Sequence, residues 1–232
     1  MIHSFDEPIP RSIKEFRKWA DSFAEELETD VGRQLSPVTA HGRAVAASFW
    51  GRAWCRNIES YQDYESRLPR GRSYLKNGAV LDLTILPGKV EAIVAGSELY
   101  HVSIAIDPVD PERWEALKKQ CAGKIGSLVD LVEGKLSDAI IELMCAPETG
   151  LFPAPEEIHM SCDCPDWADL CKHLAAVLYG IGARLDDDPG LFFVLRGVDR
   201  DELFSGDIAA ALPDAPPDDL GNLSDTFGID LD

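Results

Sequence analysis

Three cysteines and a histidine crowd into one short stretch of the 232-residue sequence: Cys162-Asp-Cys164, six residues, then Cys171-Lys-His173. Thiolate sulfur and imidazole nitrogen are the donors of closed, four-coordinate zinc sites, and three cysteines plus one histidine make one complete set. Residues two apart on an extended segment point the same way, so each Cys-x-Cys or Cys-x-His pair can span one edge of a tetrahedron. The six-residue spacer holds the turn-former Pro165 and a tryptophan, Trp167, expected to anchor the returning chain. One Zn2+ per chain is therefore expected at Cys162, Cys164, Cys171 and His173, with Lys172 and a helix start offsetting the charge of three thiolates. Two other chemistries use such residues. A Cys171/His173 nucleophile pair would need the imidazole against the sulfur, and no oxyanion motif accompanies it. A redox dithiol at Cys162/Cys164 lacks the usual two-residue spacer.

Cys55, Cys121 and Cys145 stand singly in apolar or amphipathic runs, as buried free thiols do. His3, His41, His101 and His159 have no companion at ligand spacing; His159 is close enough to the cluster to be a supporting residue. A second candidate constellation is basic: Arg67, Arg70, Arg72, Tyr74 and Lys76. Cations pair with phosphates and an aromatic ring stacks on bases, so this strip could contact nucleic acid. It lies in a stretch, residues 43–89, with eight basic and four acidic residues, inside a chain of net charge −19. That overall charge argues against wholesale coating of nucleic acid. Residues 186–232 carry 13 acidic against 2 basic residues.

Periodicity supplies the elements that must position these groups. Phe16, Trp19, Phe23 and Leu27 step as an amphipathic helix over 11–29, and a loop follows to about residue 43. Trp50, Trp54 and Ile58 mark a second helix over 49–60, with the tryptophans in the core. The stretch from Tyr61 to Lys76 is polar, with Pro69-Arg-Gly71 as a break. Runs at 80–86, 90–95 and 100–106, joined by Pro87-Gly88 and Gly96-Ser97, predict a three-stranded antiparallel meander. A helical section follows, with Trp114, Leu117 and Cys121 on one face and Gly134 splitting what comes after. A Pro-rich extended segment leads into the cysteines, and Leu174, Val177, Leu178, Ile181 and Leu185 form the face of a helix behind them. The expected fold class is α+β, a small meander with helices followed by a metal-bound β-then-α finger. Five segments are expected: 1–43, an N-terminal helix and loop; 44–110, helix plus meander; 111–150, helical; 151–204, the finger and its helix; and 205–232, an acidic flexible tail. In the tail Leu223, Phe227 and Leu231 step by four, as a helix laid into a partner's groove would.

The cluster resembles the SWIM zinc finger, whose pattern is Cys-x-Cys, a variable spacer, then Cys-x-His. Ser161-Cys-Asp-Cys-Pro-Asp-Trp167 and Cys171-Lys-His-Leu-Ala-Ala-Val-Leu-Tyr179 are similar to the prokaryotic branch of that family. So are Arg70-Gly-Arg-Ser-Tyr74 and Leu195-Arg-Gly-Val198, which extends the resemblance over residues 44–203. The resemblance implies DNA binding or protein–protein interaction rather than catalysis. SWIM modules occur beside SWI/SNF-type helicase-like ATPases in bacteria, in Mutator-class transposases and in eukaryotic Shu-complex regulators.

A non-catalytic zinc adaptor for a SWI/SNF-type helicase-like ATPase is thus expected, and DNA is the alternative partner, through the Arg67–Lys76 strip and the finger. No phosphate loop, helicase motif or paired carboxylates stand out, so no enzyme activity is expected. No apolar run approaches the ~20 residues of a membrane span, and the N-terminus has no basic-then-apolar leader, which predicts a cytoplasmic protein.

Overall fold

The computed structural model describes residues 32–40, 44–61 and 67–203, with the helical positions 18, 21, 22, 24 and 26–29. Most of the helix expected over 11–29, and all of the acidic tail over 205–232, lie outside the described residues. The fold is α+β. Its seven described helices are α1 (Phe49–Glu59), α2 (Leu68–Lys76), α3 (Pro111–Cys121), α4 (Leu128–Glu133), α5 (Asp138–Cys145), α6 (Lys172–Asp187) and α7 (Gly190–Leu195). Four strands, β1 (Val80–Leu86), β2 (Lys89–Ala95), β3 (Leu99–Ile106) and β4 (Ile158–Cys162), form one antiparallel sheet in sequence order.

The meander forms as its turns require. Leu86 pairs with Lys89 across Pro87-Gly88, and Ala95 with Leu99 across the second turn. The fourth strand was foreseen only as an extended lead into the cysteines. It pairs with β3 from Val102↔Cys162 to Ile106↔Ile158, and α3, α4 and α5 fill the long connection between them. Gly134, at φ 69°, closes α4 and separates it from α5.

Helix α6 is the hub. Twelve of its 16 residues are buried, against all four strands on one side and α1 and α2 on the other. A helix apolar all round belongs inside a fold. Small residues let its neighbours approach: a Cβ on Gly71 of α2 would collide with the main chain of Ala175 and Ala176. Trp54 of α1 donates its indole N–H to Leu178 O at 2.8 Å, and Trp50 donates to Leu131 O at 2.8 Å. Both tryptophans are fully buried, and Trp50 packs among Phe152, Phe192 and Phe193. One apolar cluster draws on all four strands and on helices α1, α2, α3 and α6.

Where β4 begins, Glu157 ties three elements together. Its Oε2 accepts Ala154 N–H at 2.7 Å, and its Oε1 accepts from Arg113 of α3 and from Arg196 after α7, each at 3.0 Å. Arg196 is completely buried and donates its other terminal nitrogen to Asp107 O at 2.6 Å. Among the described residues no helix is long and apolar enough to cross a membrane.

Candidate metal centre

The cluster sits where the end of β4 meets the start of α6. Pairing with β3 continues one residue past the strand: Asp163 N–H reaches His101 O at 3.3 Å, and Asp163 Oδ1 accepts His101 N–H at 2.9 Å. This clamp fixes the turn that carries Cys162 and Cys164. On the other side, Cys171 is the N-cap of α6, with extended backbone (φ −83°, ψ 170°), and its Sγ accepts Leu174 N–H at 3.4 Å. A sulfur thus fills the place usually taken by a Ser or Asp oxygen. Cys171 precedes the first turn of α6 and His173 lies within it, so both side chains face the end of β4.

The four donor atoms lie within 4.8 Å of one another. His173 Nδ1 is 3.8 Å from Cys162 Sγ and 3.9 Å from Cys171 Sγ. A tetrahedral zinc with Zn–S of about 2.3 Å and Zn–N of about 2.0–2.1 Å needs donor–donor edges of about 3.6–3.8 Å. The two Sγ–Nδ1 edges are within a few tenths of an ångström of that geometry, and no donor pair would have to close by more than about 1 Å, so the donor set fits a metal ion. All four positions of such a tetrahedron would be filled by protein.

Electrostatics lead to the same conclusion. The Cys171 thiol is held down to about 4, chiefly by its hydrogen bond with Cys162, with His173 and the Leu174 N–H assisting. The same contact with Cys171, with burial, pushes Cys162 far up, and burial raises Cys164. Three thiolates this close repel one another, so protons stay on some of them unless a cation sits between. The solitary thiols behave differently. Cys55 is pushed up to about 12 by burial, and Cys121 and Cys145 are raised for the same reason, which leaves them unreactive.

His173 is 2% exposed and held by aromatic rings. Tyr100 stacks on it with centroids 4.2 Å apart and planes at 22°, and Tyr74 meets it edge-on at 5.6 Å. Its Nε2 is buried without a hydrogen-bond partner and faces Gly96, where a Cβ would stand 2.8 Å away. Nδ1 is thus the nitrogen that faces the three sulfurs. Tyr100 and Gly96 are supporting residues that spacing along the chain does not reveal, because they come from β3 and the turn before it. In the sequence Gly96 reads only as part of the second turn.

The basic strip is placed differently from its expected setting. Residues 68–76 are helical, with Pro69 in the first turn of α2 rather than at a break. Arg67 pairs with Asp166 at 3.2 Å. Arg72 pairs with Glu59, donates to Tyr179 Oη at 3.0 Å and lies over that ring. Tyr74 packs on His173 and carries Lys172 Nζ 5.2 Å from its ring centre. Arg70 is exposed, and Lys76 is half-buried near the end of α2. His159 points away from the cluster and pairs with Asp107 at 3.1 Å. Trp167 is the clearest departure: instead of anchoring the loop from inside, it is 93% exposed.

Comparison with known proteins yields one informative match. The chain is similar to uncharacterized protein Rv2102 of Mycobacterium tuberculosis, with 31% identity over 177 residues, or 75% of this chain. It spans 64% of that relative's length. No family model matches the chain, and no solved structure matches it.

Proposed function

We propose that this chain is a non-catalytic adaptor, folded around a zinc ion in a SWIM-type finger, whose task is to bind another protein. The observation that carries the reading is the closed donor set: Cys162, Cys164, Cys171 and His173 within 4.8 Å, at the junction of the last strand and the central helix. A catalytic zinc keeps a position for water or substrate, whereas four protein donors leave none. The Cys-x-Cys and Cys-x-His spacing supports the SWIM assignment. The partner class, a SWI/SNF-type helicase-like ATPase, rests on that resemblance.

The internal contacts of the basic strip weigh against the DNA-binding alternative. Arg67 and Arg72 are each paired with a carboxylate, and Tyr74 is packed on His173. An aromatic ring used to hold a metal ligand is not free to stack on a base. The test is a pulldown of the zinc-loaded chain against a purified helicase-like ATPase, run beside a mobility-shift assay on duplex and single-stranded DNA. Retention of the ATPase, lost on chelation, is expected. DNA shifted at physiological salt with no ATPase retained would replace this reading with the nucleic-acid one.

A further inference from the structure

Strand β4 is the last in the sheet, and among the described residues no strand pairs with its outer edge, beside the metal centre. The hydrogen-bond parity shows which groups are exposed there. Ile106 N–H goes to Gly88 O, toward β2, and Asp107 N–H goes to Glu157 O, toward β4, both at 2.9 Å. Odd-numbered residues of β3 therefore face β4, so the registers Ser103↔Ser161 and Ala105↔His159 are the hydrogen-bonded pairs. Ile158, Met160 and Cys162 must point their main-chain groups the other way. The Ile158 N–H is satisfied by Pro155 O, but among the described residues no hydrogen bond reaches the N–H or C=O of Met160.

Ile158, Met160 and Cys162 also border a groove of about 400 Å³ between β4 and the loop that joins the two ligand pairs. Cys171 and Leu174 of the helix start also line it, so it runs on from the metal centre, and Asp166 and Asp169 line it from the loop. Asp166 is shared with Arg67, while Asp169 is exposed and unpaired among the described residues. Trp167, between two groove residues, stands out into solvent. An unpaired edge strand is a template for another strand, and proteins normally cover or charge it. Here the carboxylates belong to the loop opposite, so they leave the edge open and select what enters.

We propose that this edge docks an extended, cationic segment of a partner protein, which adds a fifth strand to the sheet against Met160 and sets a Lys or Arg against Asp169. Main-chain bonds to Met160 supply affinity, and the carboxylate rim supplies selection. The chain's own tail is a poor occupant, because residues 205–232 hold seven aspartates and no Lys or Arg. Nucleic acid is disfavoured by the same rim. The proposal rests on the adaptor reading and gives it a docking mode.

The experiment uses the full, zinc-loaded chain and a synthetic ten-residue peptide alternating Val and Lys, beside a Val/Glu peptide and oligo-dT. Amide exchange at Met160 is expected to slow with the Val/Lys peptide alone. Met160→Pro removes the outward N–H without touching the β3 ladder, and is expected to weaken binding about tenfold. Asp169→Lys, on the surface and harmless to folding, is expected to weaken it roughly threefold to fivefold. Binding of that peptide unchanged by both variants, no binding of it at all, or equal binding of the Val/Glu peptide or oligo-dT overturns the proposal. So does Met160 protection already present without peptide and lost on removing residues 205–232, which would give the edge to the tail. The purified ATPase separates the two readings. If it binds the parent and both variants alike, the docking edge is wrong and the adaptor stands. If it does not bind while the peptide does, the edge stands and the assigned partner is wrong.

Discussion

Replacing Glu157 with Gln removes the one carboxylate that forms an ion pair with Arg196 among the described residues. Arg196 has no exposed surface, and a glutamine at 157 carries no charge and has one acceptor oxygen where Glu157 uses two, so Ala154 N–H and the arginines can no longer all be satisfied. Breaking a buried pair by deleting one partner costs about 3–5 kcal/mol, because the remaining charge stays out of water. Glu157 retains 20% side-chain exposure, so the lower end applies, about 3 kcal/mol. At about 2–4 °C per kcal/mol for a chain of this size, Tm should fall by roughly 6–12 °C. Arg196→Met should cost less, since Glu157 would keep Arg113 and the Ala154 N–H. The double variant, with the fully buried guanidinium gone and only Arg113 left without its carboxylate, should be more stable than Glu157→Gln alone. Thermal and urea unfolding of the four zinc-loaded proteins gives the coupling directly. The pH dependence has a definite sign. Burial alone would raise the Glu157 carboxyl, but the Ala154 N–H and Arg196 outweigh it and hold it below its ordinary value. Its contribution is then complete above the unfolded carboxylate value of about 4.3 and is lost as pH falls through the lower folded one. The gap between parent and Glu157→Gln should narrow across that window. A Glu157→Gln variant within about 1 kcal/mol of the parent, or a double variant costing the sum of the singles, would refute the reasoning.

Elemental analysis should give one zinc per chain, and X-ray absorption should show three sulfurs at about 2.3 Å and one nitrogen at about 2.0–2.1 Å. Cys171→Ser should abolish the zinc while Cys55→Ser leaves it, measured on protein purified without chelators. Tyr100→Ala should weaken zinc affinity by about tenfold in a chelator competition, since it removes the ring that holds His173 and lets water reach Nε2. Gly71→Ala should destabilise by roughly 1–3 kcal/mol in urea, because its methyl group meets the α6 main chain rather than a movable side chain.

The Cys3His cluster was legible because its four members lie on short, nearly contiguous segments, where spacing is geometry. The meander was legible for the same reason: its turns announce themselves as Pro87-Gly88 and Gly96-Ser97. What sequence reasoning misplaced depends on contacts between distant elements. Pro69 and Gly71 read as a break, yet proline suits the first turn of a helix, and Gly71 is there for the approach of α6. The arginines of that segment read as a free strip because their partners, Glu59, Tyr179 and Asp166, lie elsewhere in the chain. Trp167 was expected to anchor the loop by residue type alone, whereas its side chain stands out into solvent while its neighbours Asp166 and Ala168 line the groove facing β4. The pairing of β4 with β3 crosses a long helical excursion and leaves no local trace.

That excursion bears on the order in which the protein assembles. Three of the four ligands, Cys164, Cys171 and His173, are brought together by closing a loop of about ten residues, an event of ~10–100 ns. The register between β3 and β4 requires residues more than 50 positions apart to meet, and such non-local closure is what slows folding. A metal ion captured early would already hold the end of β4 against the start of α6 before β4 finds its place. The search for the last strand would then be made by a compact unit rather than by a free segment. Such an ion would act first as a catalyst of topology and only afterwards as a source of stability, so refolding in its presence should be faster as well as more complete.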